Sequence, residues 1–118
     1  MRNYKNLDVW KLSHQNALEV YELANNLPKS ESFGLVSQVR RAALSIPCNI
    51  AEGCGMATVP NYTRYLTIAR GSAFELEYQL IFAVDSGMLS ATQAEACITR
   101  TVSIQKMLYS LIGRLSKE

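Results

Sequence analysis

The sequence predicts an all-α protein, an antiparallel up-and-down four-helix bundle that forms a single domain over residues 1–118. Apolar residues recur at helical spacing in four segments, and no segment alternates with the period of two that is typical of a strand. The segments are joined by short connections, which favour antiparallel neighbours. With 48% hydrophobic and 19% charged residues in 118, the chain can bury one core and is too apolar to be disordered.

The first helix is predicted to begin at Asp8, as its N-cap, and to end near Asn26, before Pro28. His14 lies at the margin of its apolar face and is interpreted as a hydrogen-bonded edge histidine, because no acid or nucleophile accompanies it. The residues expected to face the core are Trp10, Ala17, Val20, Tyr21 and Ala24.

The second helix, predicted from about Ser30 to about Cys54, organises the rest of the chain. Pro47 cannot donate to the carbonyl of Ala43 and its ring presses on that group, so we expect the helix to kink at Pro47. Its core face is expected to hold Leu35, Val39, Ala42, Ala43, Ile46 and Ile50.

A polar stripe follows one flank of that face. The stripe has two interpretations, a hydrogen-bond network between helices or a binding surface. Arg41 is expected at the level of Ser72 and Glu75 of the next helix, where it would make an inter-helix ion pair or hydrogen bond. The stripe consists of Gln38, Arg41, Ser45, Asn49 and Glu52.

The third helix is predicted from about Pro60 to Ser86, with Thr58 at its entry and the run Gly53–Gly55 ending the helix before it. Its predicted core face extends over about six turns, from Tyr62 to Ala83. The residues of this face are Tyr62, Tyr65, Leu66, Ala69, Ala73, Leu76, Leu80 and Ala83.

A second apolar stripe lies on roughly the opposite side of the third helix, where a monomer would leave it in water. Leu44, Cys48 and Ala51 likewise point away from the core face of the second helix. We therefore predict a homo-oligomer; the alternative is that these side chains cover neighbouring helices within one subunit. The predicted oligomer interface consists of Leu44, Phe74, Tyr78, Ile81 and Phe82.

The fourth helix is predicted to follow Gly87 and to run to about Leu115. Ser90 and Gln93 have the spacing of a capping box at its start. Its expected core residues are Ala94, Ile98, Val102, Leu108, Ile112 and Leu115.

Chemical motifs are scarce. Cys48, Cys54 and Cys97 are odd in number and lack CxxC spacing, so we interpret them as reduced packing residues. With one histidine and no phosphate-binding glycine loop, we predict no metal, no cofactor and no enzymatic activity. No apolar run reaches the length of a membrane span, and no signal peptide is recognised, so we expect a cytoplasmic protein without a membrane partner. A carboxylate cluster without metal ligands or a second histidine remains, formed by Glu52, Glu75 and Glu77.

Net charge is only +2, but its distribution is uneven. Between Ser32 and Phe74 the only acidic residue is Glu52, and every basic residue is an arginine. Arginine suits phosphate oxygens because its planar guanidinium can donate two hydrogen bonds at once. The candidate nucleic-acid contacts are Arg40, Arg41, Arg64 and Arg70.

Several blocks in the first two-thirds of the chain carry a family resemblance. They are Asp8–Lys11, Val20–Leu23, Glu31–Leu35, Gln38–Ala43, Ser45–Gly53, Tyr65–Leu66, Ile68–Ser72 and Glu75–Leu76. Together, and in this order, they resemble the four-helix-bundle proteins encoded in intervening sequences of bacterial 23S ribosomal RNA genes.

The resemblance implies a ring of four-helix bundles, typically a homopentamer, in a family without established catalytic activity. Related accessory proteins of diversity-generating retroelements bind nucleic acid through basic surface, which implies RNA or DNA as a partner here by analogy. Family members often carry a basic residue soon after the Glu-Gly pair, whereas this chain has Cys54–Ala57, so any contact falls to the four arginines. The alternative is a protein–protein scaffold or assembly module with no nucleic-acid role.

Overall fold

The computed structural model describes residues 2–117, which form an all-α bundle of four helices and two short 3-10 turns, with no strand in that range. The predicted fold class is confirmed. The helices are α1 (Asp8–Ala24), α2 (Leu35–Cys54), α3 (Val59–Asp85) and α4 (Ala91–Leu115), and the 3-10 turns are Tyr4–Asn6 and Lys29–Glu31.

Residue pairs between neighbouring helices run in opposite directions. Ser45 of α2 pairs with Ser72 of α3, whereas Gly53, further along α2, packs against Tyr62, which comes earlier in α3. Residue pairs between α3 and α4, and between α1 and α4, show the same antiparallel order. Helix α1 also packs on α2. The α1–α2 and α3–α4 connections therefore lie at one end of the bundle, called here the upper end, and the α2–α3 connection lies at the lower end.

The core contains the faces that helical periodicity predicts. The predicted core residues of α2 and α3 are buried, except for the half-buried Leu35 and Tyr65. The prediction that Tyr21 of α1 faces the core is wrong, because its side chain is 40% exposed and lies under that of Arg40. In α4 the prediction omitted Cys97, Thr101, Ile104 and Gln105, which are also buried.

Two helix starts differ from the prediction. Asp8 is the first residue of α1 and not its N-cap; the cap is Leu7, whose side chain makes no capping hydrogen bond. The second helix begins at Leu35 and not near Ser30, because the carboxylate of Glu31 accepts a hydrogen bond from the Leu35 amide at 3.2 Å and separates the 3-10 turn from α2.

The other predicted caps are confirmed. The Thr58 hydroxyl accepts from the Asn61 amide at the start of α3, and Ser90 with Gln93 forms the complete capping box of α4. At the end of α3, Gly87 has a φ of 81°, a left-handed conformation that glycine adopts at low cost, and the Met88 amide reaches back to the Ala83 carbonyl at 2.9 Å.

The run Gly53–Gly55 ends α2 as predicted, because the helix ends at Cys54 and Gly55 is its C-cap, in an ordinary right-handed conformation. Gly53 lies within the last turn of the helix and is buried. Helix α2 continues through the buried Pro47; the kink there stays a prediction. Between residues 2 and 117, no helix combines the length and apolarity that crossing a membrane requires.

Candidate functional site

The polar stripe of α2 divides into two parts. Ser45 and Ser72 share a hydrogen bond of 2.8 Å, and Asn49 donates to both the carbonyl and the hydroxyl oxygen of Ser45 at 2.8 and 3.0 Å. These three side chains form a local network between α2 and α3. The other three members of the stripe are exposed, and their side chains have no hydrogen-bond partner among residues 2–117; they are Gln38, Arg41 and Glu52.

The ion pair or hydrogen bond expected for Arg41 is therefore wrong. The Ser72 hydroxyl is taken by Ser45, and within the described part of the chain the ion pair found is between Arg100 and Glu19. Arg41 projects from the outer side of α2 because its position lies well away from the core face. Its charge is thus available to solvent or to a ligand.

Arg40, in contrast, is occupied within the subunit. Its Nη2 atom donates to the carbonyl oxygen of Tyr21 at 3.0 Å and to Oδ1 of Asn25 at 2.9 Å, and the guanidinium carbon lies 5.1 Å from the centre of the Tyr21 ring. Arg40 therefore joins α2 to the end of α1. Arg64 is exposed near the lower end and lies over the Tyr65 ring at 4.8 Å. The four arginines do not form one patch.

Arg70 lies in a surface cleft between α3 and α4, called here the α3–α4 cleft. Its guanidinium carbon is 5.1 Å from the centre of the Phe74 ring and 5.0 Å from that of Tyr109. The Nε atom of Arg70 is buried and has no hydrogen-bond partner among residues 2–117. The cleft has a volume of about 400 Å³, and its lining is Arg70, Phe74, Gln105, Lys106, Tyr109 and Ser110.

The lining of the α3–α4 cleft is basic and aromatic. Arg70 and Lys106 supply two cations, and no carboxylate belongs to the lining. Gln105 is held in place because its Nε2 atom donates to the Ala73 carbonyl at 3.3 Å and to Oε1 of Glu77 at 2.8 Å. A cation can bind phosphate, and an exposed ring can stack on a base, so the cleft has the two kinds of group that single-stranded nucleic acid requires.

Sequence reasoning identified Arg70 and Phe74 but missed Lys106 and Tyr109. The two missed side chains lie three residues apart on α4, so they share one face of that helix. The sequence did offer one indication of a basic surface here, because residues 106–117 contain three basic residues and no acidic one. The basic residues are Lys106, Arg114 and Lys117.

The predicted oligomer interface is exposed in the single chain, as the helical spacing indicated. The side chains of Phe74, Tyr78 and Phe82 are 47%, 66% and 45% exposed, and Leu44 and Ile81 are exposed as well. Such a concentration of large apolar side chains on one helix is unusual for a surface that stays in water. The interface itself stays a prediction.

A buried polar network that the sequence analysis did not anticipate joins α1 to α4. The Asn16 amide donates to the Thr101 hydroxyl at 3.0 Å, and the Nε atom of Arg100 donates to Oδ1 of Asn16 at 3.2 Å. Arg100 also pairs with Glu19 at 2.9 Å. Because each polar group is satisfied by the next, the network fixes the register of the two helices and offers no open binding group.

The single histidine stacks on an aromatic ring of its own helix, and two of the three cysteines are buried. His14 stacks on Trp10, with ring centres 5.0 Å apart, and has no hydrogen bond within residues 2–117, so the hydrogen-bonded interpretation is wrong. Cys48 is exposed, which corrects its interpretation as a packing residue, whereas Cys54 and Cys97 are buried. In the described range, no three His, Cys, Asp or Glu residues are grouped so as to hold a metal ion.

Burial changes the ionisation of one neighbouring pair. The Sγ atom of Cys54 lies 3.8 Å from Oη of Tyr62, between α2 and α3. Desolvation raises the pKa of the Cys54 thiol, and it raises the pKa of Tyr62 from 10.0 to about 12, with the neighbouring thiol adding to the shift. Both groups therefore remain protonated and inert near neutral pH.

Comparisons with known proteins agree with this architecture. The family model of the 23S rRNA-intervening sequence protein matches residues 5–110, which include α1 to α3 and most of α4. The fold is similar to the 1.70 Å crystal structure of a protein with unknown function from the S23 ribosomal protein family of Bacteroides thetaiotaomicron VPI-5482, with a TM-score of 0.82 and 27% sequence identity over 88% of this chain and 97% of that chain. A search of curated proteins gave no match.

Proposed function

The chain belongs to the family of 23S rRNA-intervening sequence proteins, and on that premise we propose that it is a non-enzymatic, self-associating protein that binds RNA or DNA in the α3–α4 cleft. The observation that carries the proposal is the lining of the cleft, where Arg70 and Lys106 lie beside two exposed rings without a carboxylate. The family name refers to an intervening sequence of a ribosomal RNA, which makes RNA the first ligand to test.

Each lining residue has a role in this proposal. Arg70 is held between the Phe74 and Tyr109 rings, and its guanidinium group supplies a positive charge that can attract a phosphate at the cleft. Lys106 supplies a second, freely exposed cation. The exposed faces of Tyr109 and Phe74 can stack on bases of any sequence, so we expect single strands to bind without sequence preference.

The remaining arginines contribute less in this proposal. Arg41 and Arg64 are exposed on other parts of the surface and add only to the long-range attraction of phosphates. Arg40 is excluded from direct contact because its guanidinium already binds the end of α1.

Self-association is the second component of the proposal. The exposed apolar side chains of α3 support it, and the assembly implied by the sequence resemblance is a homopentamer in the cytoplasm. Repetition of one small cleft around such a ring would allow a single strand to contact several subunits, which raises the apparent affinity without new contacts.

The test is a fluorescence-anisotropy titration of a labelled single-stranded RNA at low salt. Lys106→Gln and Tyr109→Ala should each weaken binding, the first by removing a phosphate contact and the second by removing a stacking interaction of about 1–3 kcal/mol. Lys11→Gln is the matched control, because Lys11 is exposed on α1 and its substitution lowers the net charge by the same amount.

The proposal fails if the wild-type protein binds neither RNA nor DNA at about 50 mM salt, where phosphate contacts are strongest. Equal weakening by Lys11→Gln and Lys106→Gln would contradict a localised site and leave only diffuse attraction.

A protein–protein scaffold without a nucleic-acid role is the second candidate. The exposed apolar stripe of α3 favours it, because such a surface suits a protein partner whether or not nucleic acid binds. An oligomer that shows no binding to RNA or DNA in the titration above would support this candidate over the first.

A further inference from the structure

Phe33 is the most exposed large apolar side chain of the described chain, at 100%. It lies at the upper end, between the 3-10 turn and α2, on a segment that is held in place. The Ser32 hydroxyl donates to the Lys29 carbonyl at 2.7 Å, and the Gly34 amide donates to the Glu31 carbonyl at 3.0 Å. An aromatic ring is thus presented to solvent on an ordered turn, with no packing role in its own subunit.

A mostly apolar cleft lies at the same end of the bundle, between the end of α3 and the start of α4, and its walls suit an aromatic ring. It has a volume of about 300 Å³ and is called here the upper cleft. Its walls are mostly apolar, with two acidic side chains, Asp85 and Glu95, among its lining residues. The apolar lining is Ile81, Val84, Ala91 and Ile98.

The charges around the two features are complementary. Arg40 and Arg41 lie below Phe33 on the α1–α2 edge, where they line a shallow depression with Tyr21 and Leu44. The lining of this depression has two arginines and no carboxylate, whereas the lining of the upper cleft has two carboxylates and no cation.

Phe33 and the upper cleft also lie at the same level along the long axis of the bundle. Since α1 packs on α2 and α4, and α3 packs on α2 and α4, the α1–α2 edge and the α3–α4 edge are opposite sides of the bundle. Leu44 lies at the level of Phe74, because Ser45 pairs with Ser72. Phe33 precedes α2 at the same end of the bundle at which α3 ends and α4 begins, so a contact between the two edges needs no large axial shift and is compatible with a closed ring.

We propose that the turn bearing Phe33 docks on a second copy of this chain, with the Phe33 ring inserted into the upper cleft between α3 and α4 of that copy. The inference rests on the proposed function, since it assigns the two surfaces through which the protein self-associates. It also separates the apolar stripe of α3 into two regions. The upper part, with Tyr78, Ile81 and Phe82, receives the neighbouring copy, and the lower part, with Phe74, borders the α3–α4 cleft.

The test uses the full chain and three variants in light scattering over a range of concentrations. Phe33→Ser removes the inserted ring, and Ala91→Trp fills the upper cleft. Each should raise the dissociation constant of the oligomer by about 30-fold or more, the effect of losing a buried aromatic anchor. Leu18→Ser is the control, because Leu18 is a large apolar side chain that is exposed outside both surfaces, and its mass should match the wild type.

Mixing the two variants gives a sharper result. The Ala91→Trp copy retains an intact Phe33, and the Phe33→Ser copy retains an open upper cleft, so the mixture should form a one-to-one heterodimer although each variant alone is a monomer. A mixture that remains monomeric overturns the proposed head-to-tail contact.

The outcomes separate this inference from the proposed function. A monomeric wild-type protein overturns both the self-association and the docking of Phe33. A wild-type oligomer whose mass and dissociation constant are unchanged by Phe33→Ser overturns the docking alone.

A second measurement applies if Ala91→Trp does not fold. A benzoylphenylalanine placed at position 33 should photo-crosslink to residues 81–98 of an isotope-labelled second copy. Crosslinks confined to other segments would overturn the inference.

Discussion

Gly53 provides a stringent test of the packing between α2 and α3. A Cβ atom at this position would lie 3.0 Å from the Cβ of Tyr65 and 3.2 Å from the carbonyl oxygen of Tyr62. Neither atom can move by a simple side-chain rotation, because one is fixed to the α3 backbone and the other belongs to it. Gly53→Ala therefore requires α2 and α3 to separate.

The net effect follows from two opposing contributions. Forcing an additional carbon into a well-packed contact costs about 1–3 kcal/mol, and the contacts with rigid atoms place the cost in the upper part of that range. Alanine in place of glycine within a helix returns about 1 kcal/mol. We expect Gly53→Ala to lower the free energy of unfolding by about 1–2 kcal/mol.

Gly71→Ala is the matched control for this experiment. Gly71 is exposed within α3, and a Cβ atom there would meet nothing within 4 Å, so the substitution should raise the free energy of unfolding by about 0.5–1 kcal/mol. Urea unfolding at one protein concentration measures both variants. Equal stabilisation by the two substitutions would refute the close approach of α2 and α3 at Gly53.

Three further predictions concern side chains that differ in burial. Because the pKa of Tyr62 is raised to about 12, the folded chain retains a phenol proton that the unfolded chain releases above pH 10. The contribution of this proton to the free energy of unfolding is therefore complete below pH 10 and falls by about 2–3 kcal/mol towards pH 12. Denaturation curves at pH 9 and pH 11.5 should show a smaller loss of stability for Tyr62→Phe than for the wild type. Asn16→Ala should cost about 1–3 kcal/mol in urea unfolding, since it leaves the Arg100 Nε atom without its acceptor; an unchanged midpoint would contradict the network. Cys48 should react with a thiol reagent faster than Cys54 in the native protein, and equal rates would contradict their difference in burial.

Local chemistry explains why much of the fold could be predicted from the sequence. The hydroxyl of Thr58 and the pair formed by Ser90 and Gln93 act within a few residues of themselves, so their positions alone indicate where α3 and α4 begin. The core faces follow from helical periodicity, which depends on spacing within one segment.

The incorrect predictions depend on contacts between helices. The run Gly53–Gly55 correctly indicates the end of α2, but it does not reveal that the lack of a side chain at Gly53 allows the close approach of α3. Arg40 and Arg70 have the same residue type, yet one binds the end of α1 and the other lies between rings of α3 and α4. Their roles depend on the register of neighbouring helices, which no single segment specifies.

The salt dependence of binding connects the α3–α4 cleft with the assembly. One cleft offers two cations, Arg70 and Lys106, so a single strand that engages one cleft should lose affinity by only about sevenfold between 50 and 200 mM salt. Two clefts on the same strand should lose about 50-fold over the same range. Phe33→Ser, by separating the copies, should then reduce the salt dependence of the wild type towards the value for one cleft. An unchanged salt dependence in a monomeric Phe33→Ser variant would mean that assembly and nucleic-acid binding are independent properties of the chain.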